Sequence, residues 1–208
     1  NHGGFMLDLS LIIQQFFNDL KHNPLLLDDI YNEFSLQHEL GIFLRNILIE
    51  KYDLKYKVQF ERNIADFYGK QAVQHFVKRE MDIAIISQDK SEKYAIELKF
   101  PRNGQYPEQM YSFIKDLCFM EQVKQLGFNG TYCVCLVDNK NFYYSVQPGV
   151  GIYQYFRPPF NSIHGKIHKP TGDTCHVMTV SGTYRVNWQQ LYQPLGRDEY
   201  QYYLLEAV

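Results

Sequence analysis

Three polar side chains have the types and the spacing to do chemistry together. Asp82 sits near the start of the run MDIAII, and Glu97 and Lys99 interrupt the otherwise apolar stretch KYAIELKF, residues 93 to 100. In an extended chain Ala95, Glu97 and Lys99 share one face, and Tyr94, Ile96, Leu98 and Phe100 share the other. The intervening SQDKSEK reads as a turn, and a hairpin folded about Asp89 and Lys90 sets Asp82 opposite Glu97 and Glu80 opposite Lys99. Directly opposed residues have Cβ atoms about 4.5 to 5.5 Å apart. Two carboxylates that close repel unless one is protonated or a cation lies between them. Hard oxygen ligands suit Mg²⁺, which takes one or two carboxylates and keeps several waters. Lys99, two residues along the same face, would stand beside one of those waters. The simpler expectation is a charged face that meets solvent, as in many antiparallel sheets.

The elements that must position these residues follow from periodicity. Leu7 to Leu20 carries apolar residues at helical spacing and ends at Asn23-Pro24. A second helical region starts near Leu26, and its clearest part is SLQHELGIFLRNILIEKY, with Ser35 as the expected N-cap. Glu39 lies on the shoulder of that helix's apolar stripe. Three extended segments follow (KYKVQFERN, REMDIAII and KYAIELKF), with a turn and a poorly ordered stretch expected in ADFYGKQAVQHF. Pro107 then opens a strong helix closed by Gly127, and GTYCVCLVDN reads as a further strand. The order helix, three strands, helix, strand predicts an α/β layer with helices packed on a mixed sheet.

Asp82 in MDIAII, followed by IELK with Glu97 and Lys99, resembles the PD-(D/E)XK nuclease superfamily, the restriction-endonuclease-like fold. Its motif is an acid at the start of one strand and acid-x-Lys on the next. The core order matches from about residue 35 to 145, while Met81 stands where the motif name has Pro. The resemblance implies a mixed central β-sheet flanked by helices, with a β-rich C-terminal extension. It implies that Asp82, Glu97 and the main-chain carbonyl of Leu98 hold Mg²⁺ (or Mn²⁺), with Glu39 as a catalytic acid and further metal ligand. Lys99 would orient or deprotonate the attacking water, and a phosphodiester bond would be hydrolysed, in DNA rather than RNA. Gln109, in the first turn of the later helix, and Glu121, inside its apolar arc, are accessory candidates. A double-strand cut by one site per chain would call for a homodimer. The alternative is a catalytically silent member that binds nucleic acid or assembles a complex on the same scaffold.

Composition bounds the rest. At 208 residues, with 45% hydrophobic and 21% charged residues, one globular domain is expected. Residues 6 to 145 would hold the helices and core, and 146 to 208 a β-rich extension of the same domain. Residues 1 to 5 read as a leftover of recombinant expression. The net charge of -2 excludes a basic protein overall but not a local basic surface. Lys140, Arg157, Lys166, Lys169, Arg185 and Arg197 face a single acid, Asp173, across residues 140 to 197. Tyr153, Tyr155, Phe156, Phe160, Tyr184, Trp188 and Tyr192 are interleaved with them. Lys140, Arg157, Lys166, Lys169 and Arg185 are therefore candidate nucleic-acid contacts, unless the rings simply fill a small core. His164 and His168 lie on a strand-like segment with no acid to complete a zinc set. Cys133 and Cys135 share one face of an apolar strand and suit core thiols in a reducing cytoplasm. No run approaches the ~18 to 20 apolar residues of a membrane span, so no membrane partner is expected.

Overall fold

The computed structural model describes residues 6–52 and 55–208, so the segment 1–5 taken for an expression leftover lies outside it. Three helices come first: α1 (Leu9–Lys21), α2 (Pro24–Asp29) and α3 (Glu33–Tyr52). Strand β1 (Tyr56–Asn63), a single turn α4 (Ala65–Tyr68), β2 (Glu80–Ser87) and β3 (Lys93–Lys99) follow. The long helix α5 (Tyr106–Leu126) then leads to β4 (Gly130–Val137). The remainder forms β5 (Ser162–His168), β6 (Val177–Arg185), β7 (Gln189–Tyr192) and β8 (Tyr200–Glu206).

The fold is α/β, built on a mixed six-stranded sheet in the order β1-β2-β3-β4-β8-β7, while β5 and β6 form a separate hairpin. Only β3 and β4 run parallel within the large sheet; α5 supplies the crossover that a parallel pair requires. Tyr94, Ile96, Leu98 and Phe100 face the core beneath α1 and α3, with Phe17, Leu40 and Leu44 among its buried residues. The opposite face, with Ala84, Ala95, Cys133 and Cys135, lies against α5 and its buried Phe113, Leu117 and Met120. The β5–β6 hairpin packs Ile163, Ile167, Val180 and Tyr184 into that same core. The charged face of β3 is therefore covered: Glu97 is 1% exposed, which excludes a solvent-facing strand.

Several elements differ from expectation. Helix α3 begins two residues before Ser35. Ser35 N–H donates to Asn32 Oδ1 at 2.8 Å, and Asn32 N–H donates back to Ser35 Oγ at 3.0 Å. Asn32 is thus the cap and Ser35 its third-position partner, a reciprocal box that satisfies two free amides. ADFY, expected to be irregular, forms α4, and GIYQYF forms a short 3₁₀ helix at Gly151–Tyr155 instead of a strand. CHVMTV and GTYR merge into the single strand β6, while YQYYLLE makes β8 beside β4. Among the described residues, no helix is long and apolar enough to cross a membrane.

Candidate active site

The turn residues and the alternation of β2 and β3 fix their register. Ile83 pairs with Ile96, Ala84 with Ala95, Ile85 with Tyr94 and Ile86 with Lys93, the alignment that a hairpin centred on Asp89 and Lys90 requires. Asp89 Oδ1 anchors the turn by accepting from Ser91 N–H at 3.0 Å and Ser87 Oγ at 2.7 Å. Lys90 takes the left-handed conformation, at φ 62. Beyond Ile83 and Ile96 side chains continue the ladder. Leu98 N–H donates to Asp82 Oδ2 at 2.7 Å, and Asp82 N–H donates to Glu97 Oε1 at 3.1 Å. Each carboxylate is thereby locked to the partner strand's backbone, which holds the two acids side by side.

Four more charged groups close on this pair. Lys78, just before β2, puts its ammonium on Glu97 Oε2 and lies 3.8 Å from Asp116 Oδ1. Asp116, on α5, is 4% exposed and lies 3.5 Å from Lys99 Nζ through Oδ2. That Asp116 oxygen is buried and accepts no hydrogen bond among the described residues. Glu33, in the first turn of α3, accepts from Phe100 N–H at 3.4 Å and adds negative charge beside Lys99. Gln37, one turn later, donates to the main-chain carbonyl of Asp82 at 3.2 Å.

Burial and like charge shape the proton affinities. Desolvation pushes the Asp82 carboxyl up to about 7; Lys78 and the Leu98 amide pull it down, and Asp116 and Glu33 add to the rise. Burial, then Asp116 and Asp82, hold Glu97 well above the ordinary carboxylate range despite Lys78. Asp116 is likewise raised by its burial, against the pull of Lys99 and Lys78. Burial would lower the ammonium of Lys99, but Asp116 and Glu33 outweigh it and keep the group protonated. The cluster carries more acid than base, and its carboxylates ionise reluctantly without additional cationic charge.

Asp82, Glu97 and Lys99 thus come together; Glu39 does not join them. Its half-buried side chain makes no hydrogen bond or ion pair among the described residues, and Glu33, six residues earlier, is the α3 carboxylate at the cluster. Glu121 is not at the cluster either. Its carboxylate accepts from Ser181 N–H at 2.9 Å, Gly182 N–H at 2.7 Å and Tyr184 Oη at 2.7 Å, which pins β6 onto α5. Gln109 donates to Asn103 Oδ1 at 2.9 Å within the β3–α5 connection. Three charged members of the cluster, Glu33, Asp116 and Lys78, were not among the sequence candidates. Asp116 had a readable signal, since it falls three residues after Phe113 and four before Met120, inside the buried arc of α5. Lys78 had none, because it stands in an irregular segment before β2.

The candidate nucleic-acid contacts of the C-terminal part differ in exposure. Lys140, Lys166 and Arg185 are exposed and Lys169 is half-buried. Arg157 is engaged internally, donating through Nε to the Asn141 carbonyl at 2.9 Å and stacking 3.9 Å from the Tyr153 ring centre. Most rings of this segment pack inward. Phe156 and Tyr184 are buried, and Trp188 donates to the Phe156 carbonyl at 2.8 Å and meets Tyr203 edge-on.

Among the described residues, no group of three or more His, Cys, Asp or Glu side chains stands ready to hold a metal ion. The donor chemistry nonetheless suits a hard divalent cation. Asp82 and Glu97 are adjacent carboxylates, and the buried Asp116 carboxylate lies in the same cluster. Glu97 already carries a cation in the form of the Lys78 ammonium. No family model, curated protein or solved structure matches the chain significantly.

Proposed function

We propose that this chain is a metal-dependent nuclease of the PD-(D/E)XK type, hydrolysing phosphodiester bonds with DNA as the favoured substrate. The observation that carries this proposal is the convergence of Asp82, Glu97 and Lys99 at one end of one hairpin, buried under α5. Solvated sheet faces give charged residues no reason to interlock in this way. Asp82, Glu97 and the Leu98 carbonyl would hold Mg²⁺ or Mn²⁺, with Asp116 contributing negative charge. The ion, when bound, lowers the pKa of its water and neutralises charge on the phosphate. Lys99 stays protonated beside Asp116 and Glu33, so it acts as a hydrogen-bond donor to the water or phosphate rather than as a base. The amides of Leu98 and Asp82 orient the carboxylates of Asp82 and Glu97, and Gln37 ties down the Asp82 main-chain carbonyl. Four free cysteines, three of them buried, fit a reducing cytoplasmic setting.

Supercoiled plasmid, single-stranded DNA and RNA incubated with Mg²⁺, Mn²⁺ or EDTA test the proposal. Cutting is expected with metal only, and to fall by about a hundredfold or more in Lys99→Ala and Asp82→Asn. Cutting that survives EDTA, or persists unchanged in Lys99→Ala, would contradict it. One observation favours a second reading, a non-catalytic scaffold: Lys78 already satisfies Glu97. Binding without cutting on every substrate would assign the chain to that class.

A further inference from the structure

The turn end of the same hairpin carries a different kind of site. On the sheet face shared with Asp82, Lys57 of β1 pairs with Ile86 of β2, which pairs in turn with Lys93 of β3. Two lysines therefore flank one isoleucine in a single cross-strand row. Gln59 of β1, in the next row along, borders the same space. The result is a cleft of about 510 Å³, the size of a small-ligand pocket, also lined by Arg62, Lys90, Phe67 and Tyr68. Asp66 is the one carboxylate among its described lining residues, and Arg62 pairs with it at 3.6 Å. The ammonium groups of Lys57, Lys90 and Lys93 enter no hydrogen bond or ion pair among the described residues. Rings stand beside the cations: Arg62 lies 4.7 Å from the Phe67 centroid, and Lys93 lies 5.8 Å from that of Tyr68. Both rings are only half-buried.

Free ammonium groups gathered in a concavity attract a polyanion, and half-exposed rings at its wall offer a stacking platform. We propose that this cleft binds a nucleotide unit, with its phosphate against Lys57, Lys90 and Lys93 and its base against Tyr68 and Phe67. The unit belongs either to a polynucleotide strand or to a free nucleotide. The first source rests on the nuclease reading and adds to it a substrate contact outside the cluster.

Anisotropy of a fluorescein-labelled oligothymidylate, measured on the full chain in EDTA, separates binding from cutting, with ATP as the free-nucleotide competitor. The triple variant Lys57→Ala/Lys90→Ala/Lys93→Ala should bind the oligonucleotide about tenfold or more weakly. Its logarithmic salt slope should fall by about 2, since three phosphate contacts on a single strand are lost. Tyr68→Ala keeps the charges and should weaken binding about fivefold or more through lost stacking. Displacement by millimolar ATP assigns the cleft to free nucleotides, and retention of the oligonucleotide assigns it to a strand. Equal binding by wild type and the triple variant, at matched thermal melting, would overturn the proposal, as would no binding of either probe. Equal binding by Tyr68→Ala would remove the base contact. A triple variant that cuts plasmid and binds like wild type defeats the cleft alone. A functioning cleft with no cutting in Mg²⁺ defeats the nuclease reading alone.

Discussion

The two ends of the β2–β3 hairpin carry charge on the same sheet face and treat it in opposite ways. At one end Asp82, Glu97, Asp116, Lys78 and Lys99 are drawn under α5 and compensate one another at 3.5 to 3.8 Å or closer. At the other, Lys57, Lys90 and Lys93 have no ion-pair partner among the described residues around an open cleft. Burial makes the difference. Where water is excluded, every ionised group needs a partner and its proton affinity moves; where water remains, charge is retained cheaply and acts at a distance. The buried end is thereby suited to chemistry and the open end to capture.

The sharpest way to break the contrast is Lys78→Met. Removing one partner of a buried pair typically costs about 3 to 5 kcal/mol, so the metal-free variant should melt well below wild type. Mg²⁺ or Mn²⁺ should then restore more stability than it adds to wild type, because the Glu97 oxygen no longer holds an ammonium. Equal melting of variant and wild type in denaturant titrations would mean that Lys78 and Glu97 are not coupled.

A second, smaller effect concerns pH. The Asp82 carboxyl holds its proton up to about 7 in the folded chain, against about 4 in an unfolded one. The folded state therefore binds more protons between these values. The associated stability is fully present below about pH 4 and is lost as pH rises to about 7. Asp82→Asn should flatten that decline, gaining on the order of 2 kcal/mol over wild type at pH 8 relative to pH 4. Parallel stability profiles for the two proteins would remove Asp82 from the strained set.

The smallest effect is expected on the β5–β6 hairpin. Lys166→Ala/Lys169→Ala should weaken oligonucleotide binding less than about threefold and lower the salt slope by about 1, since the rings of this segment pack inward. A loss as large as that of the cleft variant would move the substrate surface to the C-terminal part.

What could be read from sequence was local and periodic. The hairpin register was legible because Asp89-Lys90 marked the turn and alternation separated the two faces. The α/β layering followed from the order of elements. Glu33 was missed for a specific reason: placing the helix start at Ser35 left Glu33 outside α3, whereas the Asn32–Ser35 box starts the helix earlier. Asp116 was readable from its place in the buried arc, but Glu121 shares that arc and anchors β6 instead, so position in the arc alone does not separate the two acids. Lys78 and the cleft depend on how α4 and the irregular stretch before β2 fold over the sheet, and no local period encodes that. Basic residues and rings interleaved along residues 140 to 197 suggested a binding surface, yet adjacency in sequence did not keep the rings outside.

Titrating Mn²⁺ calorimetrically into wild type, Asp82→Asn and Glu97→Gln tests the buried cluster most directly. Wild type should bind one ion or more, and each variant should lose that binding or weaken it at least about tenfold. Unchanged binding in both variants, or none in wild type, would contradict a metal-dependent site at Asp82 and Glu97.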